Sequence, residues 1–316
     1  MCKPRAKALR KITNIEVQDY LMKSQILVGL TTAALLSACA NTGTYSSTQS
    51  VEIQFAAAIN GQSFACGQSY ANVGTTKSTI TPSDFRMYVS QVNLVRKDGT
   101  AVPVSLTQDG VWQYQNVALI DFENGEGPCR NGTSPMNTTI RGTVPAGEYT
   151  GVELTVGVPF SLNHQDPTVA PSPLNSTAMF WNWQGGYKFI KFDTASNGLS
   201  EQKPAAPNAM GPVTRYSMHL GSTMCASASR TQAPSACQNP NTLTVRLDNF
   251  DVQRGQVVVD MGSVLAQANV DVNAAGTSPG CMSFPKDGDC PPVMQALGLA
   301  YDGVTATGSQ LLIKAR

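Results

Sequence analysis

The sequence predicts an all-β protein: a single disulfide-stapled β-sandwich with long loops and one or two short helices. Three observations carry that expectation. From Val51 onward, short apolar-alternating or β-branched runs recur, punctuated by Gly, Pro, Asn and Asp. Six cysteines are spread along the same region, an even number of the kind that staples exported domains. Helical periodicity is sparse.

The expected strands are Val51–Ile59, Phe85–Val95, Val111–Ile120, Tyr149–Val158, Tyr187–Phe192, Arg215–Leu220, Leu243–Phe250 and Val257–Met261. In Asp84–Val95 the residues Phe85, Met87 and Val89 alternate with Arg86, Tyr88 and Ser90, the period of a half-buried strand. Lys97-Asp98-Gly99 and Pro145-Ala146-Gly147 read as turns. Ser263–Ala268 is expected to form one or two helical turns. Pro291–Leu299 carries prolines suited to a first turn ahead of Val293, Met294 and Leu297. Leu199–Pro212 and Ala226–Asn241 read as surface loops. No repeat or composition break divides the chain, so one domain spanning residues 51–316 is the simplest account.

The front of the chain reads as an address. Ile26–Leu36 is an apolar run too short to span a bilayer but suited to the core of a signal peptide. It leads into Leu36-Ser37-Ala38-Cys39, which resembles the bacterial lipobox and makes Cys39 the expected lipidation site. Residues 1–39 are therefore expected to be a signal peptide, with Met22 as the alternative start, and residues 40–50 a flexible polar tether. By resemblance to known bacterial lipoproteins, Ala40 after the cysteine favours outer-membrane sorting, which places the protein in the periplasm or at the cell surface. One lipid group anchors a protein to a membrane without making it integral.

Charge excludes one class of partner. With 22 basic against 21 acidic residues and 14% charged overall, no basic field exists to hold a phosphate backbone, and no nucleic-acid partner is expected. Cys66, Cys129, Cys225, Cys237, Cys281 and Cys290 allow 15 pairings, among which sequence cannot choose. Nearest-neighbour pairing is preferred because two of those pairs close short loops. No C-x-x-C spacing supports a thiolate metal cluster.

The candidate site centres on Leu162–Phe192. This stretch holds His164, Trp181 and Trp183, and the chain's other histidine is His219. Neutral imidazole is the commonest protein metal ligand and stays available when cysteines are oxidised. Trp181 and Trp183 share a face if they lie on a strand, where core packing is the ordinary role for such a pair. The Gly185-Gly186 pair beside them permits a bend or a close backbone approach. Two histidines fall short of a zinc site unless Asp166 joins. Copper as Cu(I) tolerates low coordination and takes nitrogen or thioether ligands, leaving Met218, Met224 and Met179 as candidate weak ligands. On a strand Met218 would point away from His219.

A set of motifs resembles one family. They are Phe64-Ala65-Cys66-Gly67, the run from Asp84 to Ser90, the run from Leu119 to Gly125, and Gly157-Val158-Pro159-Phe160. The most specific are Leu162-Asn163-His164, the runs Ala170–Asn175 and Met179–Gln184, Gly186-Tyr187-Lys188-Phe189, and His219-Leu220-Gly221-Ser222. Together with Cys225, Cys237, Cys281 and Cys290 they are similar to the MbnP-like proteins, the four-Cys members of the metallo-mystery pair. The resemblance covers nearly the whole mature chain. It implies a periplasmic or surface copper-binding protein with a role in copper acquisition or handling. It also implies a di-haem c-type partner of the MbnH type that oxidises one tryptophan to kynurenine. Carried onto this chain, the ligands are His164 and His219, and the modified residue is Trp181 or Trp183. Binding is expected rather than catalysis. Gly276-Thr277-Ser278-Pro279-Gly280 matches the G-x-S-x-G nucleophile pattern but lacks the strand-turn-helix setting that the chemistry needs. The competing expectation is a β-sandwich lipoprotein that binds no metal and serves a structural or ligand-binding role.

Overall fold

A computed structural model describes residues 47–182, 184–199, 215–229 and 232–316. The signal segment with Cys39, the tether up to residue 46, Trp183 and most of the loop expected at Leu199–Pro212 lie outside the described residues.

Two sheets share one hydrophobic core. The six-stranded sheet runs Ile313–Ala315, Gln256–Asp260, Thr48–Ile59, Thr139–Pro145 and Ser105–Leu106, with Gln62–Ser63 folded back onto Thr48–Ile59. Its Gln256–Asp260 strand pairs in parallel with Thr48–Ile59. Asp260 secures that junction: its carboxylate accepts from the amides of Asn60 and Gly61, each at 2.9 Å, and of Gly262 at 3.1 Å. The last contact caps the short helix Met261–Leu265, an arrangement that stabilises a helix by about 0.5–2 kcal/mol.

The ten-stranded sheet is built on Ser78–Val95, whose 18 residues serve several partners in succession. Along one edge it pairs with Gly151–Val156 and then Ile190–Ser196. Along the other it pairs with Ala101–Pro103, Val117–Asp121 and Tyr70–Val73. Outward from Ile190–Ser196 follow Tyr216–Leu220 and Gly280–Cys281. Phe85 anchors the inner face, with its ring 5.5, 5.1 and 5.3 Å from those of Phe64, Phe122 and Phe192. Such contacts add about 0.5–1.5 kcal/mol each beyond the area they bury.

The central strand is not half-buried as its alternation predicts. Asp84, Arg86, Tyr88 and Ser90 are as buried as Phe85, Met87 and Val89. The reason is tertiary: the chain from Pro159 to Phe189 lies over the outer face. The Tyr88 hydroxyl donates to the Pro173 carbonyl at 2.8 Å, and the Tyr187 hydroxyl donates to that of Leu174.

Other boundaries also shift for local reasons. Asp109 accepts from the amides of Val111, Trp112 and Gln113, so the expected Val111 strand begins as a turn. Gln115, at φ +52°, then splits it into Gln113–Tyr114 and Val117–Asp121. Thr48–Ser50, assigned to the tether by composition, pair with Pro145, Val144 and Thr143 as strand. Ala226–Asn241 is not wholly loop: Thr223–Ala226 and Ala236–Asn239 form a hairpin with Cys225 opposite Cys237. The helix Cys290–Ala296 carries its prolines in the first turn. Disulfides join Cys66 to Cys129, Cys225 to Cys237, and Cys281 to Cys290, the nearest-neighbour pairing.

Candidate metal centre

His164 closes a one-turn helix, Phe160–Asn163, that follows directly on the Gly151–Val156 strand. The Pro159 carbonyl accepts from the amides of Leu162 at 2.8 Å and Asn163 at 2.9 Å, which sets the turn. The imidazole is buried, with the Phe160 ring edge-on at 5.0 Å. Asn163 ties this turn to two other segments. Its Oδ1 accepts from the Tyr187 amide at 2.9 Å, and its Nδ2 donates to Ser222 Oγ at 3.3 Å while lying 3.3 Å from His164 Nε2. Gly186 is required beside it: at φ +72°, an added Cβ would sit 2.3 Å from the Asn163 carbonyl oxygen.

His219 lies on the Tyr216–Leu220 strand, opposite Lys191. Its Nε2 is 3.0 Å from Asp193 Oδ1, which also accepts from Ser217 Oγ at 2.5 Å. Asp193 Oδ2 lies 3.3 Å from Lys191 Nζ. Burial opposes ionisation of Asp193, yet the His219 hydrogen bond, the neighbouring positive charge and the Ser217 hydroxyl hold its carboxyl well below the usual range. Burial pushes the His219 imidazole down, outweighing the help of Asp193, and Lys188 and Lys191 push the same way. A neutral imidazole beside a carboxylate donates from Nε2, which leaves Nδ1 with a bare lone pair. That Nδ1 is buried and has no hydrogen-bond partner.

Trp181, on the short strand Phe180–Asn182, lies half-buried against Gly185, Gly221 and Phe284. A Cβ added to Gly221 would meet the indole at 2.5 Å and the Tyr187 carbonyl at 2.8 Å. The three segments therefore converge on residues 219–222: His219 supplies the imidazole, Gly221 carries the indole, and Ser222 accepts from Asn163.

The charged face of the central sheet backs this convergence. Arg86 Nε donates to Asp84 Oδ1 at 2.9 Å, Lys191 pairs with both Asp84 and Asp193, and Arg86 Nη1 lies 3.8 Å from Glu123. Asp121, opposite Arg86, is pushed up to about 7 by burial and by the Glu123 charge, against the pull of Arg86. Lys188 is pushed down to about 8 by burial and by Lys191, and its ammonium donates to the Ala178 carbonyl at 2.8 Å.

The weaker candidates fall elsewhere. Asp166 Oδ1 accepts from the Thr168 amide and hydroxyl at 2.9 and 2.7 Å, serving a turn. Met218 belongs to the hydrophobic core; strand alternation sends it to the face opposite His219, which removes it from that imidazole's side. Met179 is likewise core, whereas Met224 is 57% exposed beside Cys225. Among the described residues, the one group of three or more His, Cys or carboxylate donors within 4.8 Å of one another is His164, Cys225 and Cys237, the two sulfurs being disulfide-bonded. Sequence reasoning gave no role to Asp193, Asn163 or Gly221. Asn163 adjoins one histidine and Gly221 follows the other by two positions, a signal of proximity. Asp193 has no such signal, because only strand register brings it to His219.

The family model described as MbnP matches residues 48–283. A solved structure of MbnP from Methylosinus trichosporium is similar with a TM-score of 0.74 and 30% sequence identity, covering 85% of this chain and 98% of that one. No curated protein matches the chain.

Proposed function

The chain belongs to the MbnP family, and on that premise we propose that this copper-associated protein binds copper through His164, His219 and a kynurenine derived from Trp181. One observation carries the reading: the buried, unpartnered Nδ1 of His219, with Nε2 committed to Asp193. Metal-bound histidines characteristically donate their other ring nitrogen to a carboxylate, which fixes the tautomer and raises ligand basicity. Keeping the ring neutral by burial favours the metal further, since a protonated imidazole is no ligand.

Copper as Cu(I) accepts imidazole and aromatic amine donors at low coordination number. An intact indole offers a donor N–H and no metal-binding lone pair, whereas opening the ring to kynurenine exposes an aromatic amine. Trp181 is the tryptophan we assign because it lies against the His219–Ser222 segment and is partly rather than fully buried, leaving an edge for an oxidant to reach. The oxidant in this reading is a di-haem c-type partner of the MbnH type. The protein itself acts by binding and catalyses nothing. The apolar segment ending at Cys39 and the three disulfides support export, with lipid anchoring at the outer membrane. No helix among the described residues is long and apolar enough to cross a membrane.

The test is copper content. Protein co-expressed with its di-haem partner should carry about one copper per chain, with His164→Ala and His219→Ala each abolishing it. Intact mass should show one tryptophan gaining oxygen and losing its formyl carbon. Full copper in the double variant would refute the site, and an unchanged mass after co-expression would refute the kynurenine.

A further inference from the structure

We propose that Cys225, Cys237 and His164 form a second, redox-gated metal site that takes Cu(I) when the Cys225–Cys237 disulfide is reduced. The three donor atoms already lie within 4.8 Å of one another, and His164 Nε2 is 3.5 Å from Cys237 Sγ. A three-coordinate centre with metal–nitrogen and metal–sulfur bonds of ordinary length separates its donors by about 3.5–4 Å. The His164–Cys237 distance thus needs no change, and side-chain rotation at the two cysteines must part the sulfurs and set Cys225 at bonding distance.

The hairpin is held without the sulfur bond. Asn239 Nδ2 donates to Thr223 Oγ1 at 3.1 Å, Ser222 Oγ to the Pro240 carbonyl at 2.9 Å, Asn241 Nδ2 to the Gly221 carbonyl at 2.8 Å, and the Ser235 amide to the Ala226 carbonyl at 2.9 Å. Opening the disulfide therefore leaves both cysteines poised beside the imidazole.

Access singles out this bond. Cys225 and Cys237 are both partly exposed, whereas Cys281 and Cys290 are both buried and the Cys66–Cys129 bond presents only its Cys66 end, so this disulfide alone is open to attack at either sulfur. Thiol–disulfide exchange needs approach of a thiolate to sulfur. The reductant required is a dithiol. One of its thiolates attacks a sulfur of the pair, forming a mixed disulfide and releasing the other cysteine as thiolate. Its second thiol then resolves the mixed disulfide. Two electrons and two protons pass to Cys225 and Cys237, the dithiol leaves as a disulfide, and each cysteine thiol gives up its proton on binding metal. Two soft thiolates and one imidazole suit Cu(I), and zinc in such a set would still lack its fourth ligand.

The two sites are alternative uses of His164, but this one requires neither His219 nor Trp181, so its success or failure is separable from that of the histidine–kynurenine site. The test uses the full mature chain expressed without the di-haem partner. Limited native-state reduction with a water-soluble phosphine, removal of the phosphine, and mapping by alkylation and mass spectrometry should label Cys225 and Cys237 first. Anaerobic titration with Cu(I) against a chromophoric chelator should then show about one Cu(I) per reduced chain, bound at least about tenfold tighter than by the oxidised chain. X-ray absorption should show sulfur at bonding distance. Cys225→Ser/Cys237→Ser should lose the reductant-dependent binding and His219→Ala should keep it. His164→Ala and the bulkier His164→Gln, each checked for native circular dichroism, should weaken it by about tenfold or more. Equal affinity before and after reduction, reductant-dependent binding that survives in the double serine variant, unchanged affinity in both folded His164 variants, or prior labelling of the buried cysteines would each overturn the proposal.

Discussion

Gly221→Ala tests the site at the contact that positions the indole. Gly221 does not adopt a left-handed backbone, so alanine adds no backbone strain there and the effect comes from one methyl group. That methyl would lie 2.5 Å from the Trp181 ring carbon Cζ3 and 2.8 Å from the Tyr187 carbonyl oxygen. Carbon atoms rest at about 3.5–4.0 Å, so the indole must retreat by about 1 Å or more. Gly185 and Phe284 hem it in on other sides, Gly185 with so little room that its own Cβ would sit 3.0 Å from the ring. Overpacking of this kind costs about 1–3 kcal/mol, small enough for the protein to remain folded. A ligand displaced by 1 Å exceeds the tolerance of about 0.5 Å that binding constellations allow. The expected result is a folded protein with modestly lowered Tm and copper affinity reduced about tenfold or more, measured by chelator competition after co-expression with the di-haem partner. Wild-type affinity in a folded Gly221→Ala protein would refute Trp181 as the modified ligand and turn attention to Trp183.

Two further outcomes follow from the buried charges. Asp193→Asn removes the carboxylate that orients His219, and copper affinity should fall about 10–100-fold with the metal-to-protein ratio still reaching one at saturation; unchanged affinity would mean the imidazole is held by packing alone. Asp121 sits at about 7 in the folded chain against about 4 when unfolded, so between those values the native state keeps a proton that the unfolded chain has lost. Its contribution to stability is therefore full below about pH 4, declines as pH rises to about 7, and is absent above, a loss of about 2–4 kcal/mol. Urea denaturation at pH 5 and pH 8 should show Asp121→Asn shrinking that decline, and an identical decline in both proteins would refute the assignment.

The all-β class was legible because alternation and turn residues are local properties, and a strand face or a glycine turn leaves its mark within a few residues. The nearest-neighbour disulfides were legible for a similar reason, two of them joining cysteines only 12 and 9 positions apart. Ala226–Asn241 shows the limit. Polar, proline-containing sequence reads as loop, yet its two ends pair across a cross-strand cystine. Arg86 shows it again: alternation assigns it to solvent, but a segment more than seventy residues on covers that face, and Asp84 and Glu123 compensate the buried charge.

The candidate site divides along the same line. Residue type singled out His164 and His219, because imidazole is scarce in this chain, and the family resemblance gave Trp181 and Trp183 a role beyond core packing. Which nitrogen of His219 is left bare depends on Asp193, and that pairing is made by the register of two antiparallel strands. The placement of Trp181 over Gly221, and of His164 beside a cystine, depends on a hairpin and a helical turn docking against the end of a third strand. Side-chain chemistry is written residue by residue, but a lone pair becomes a ligand only when burial removes water and a distant partner takes the other proton. Those conditions come from packing between segments far apart in the chain.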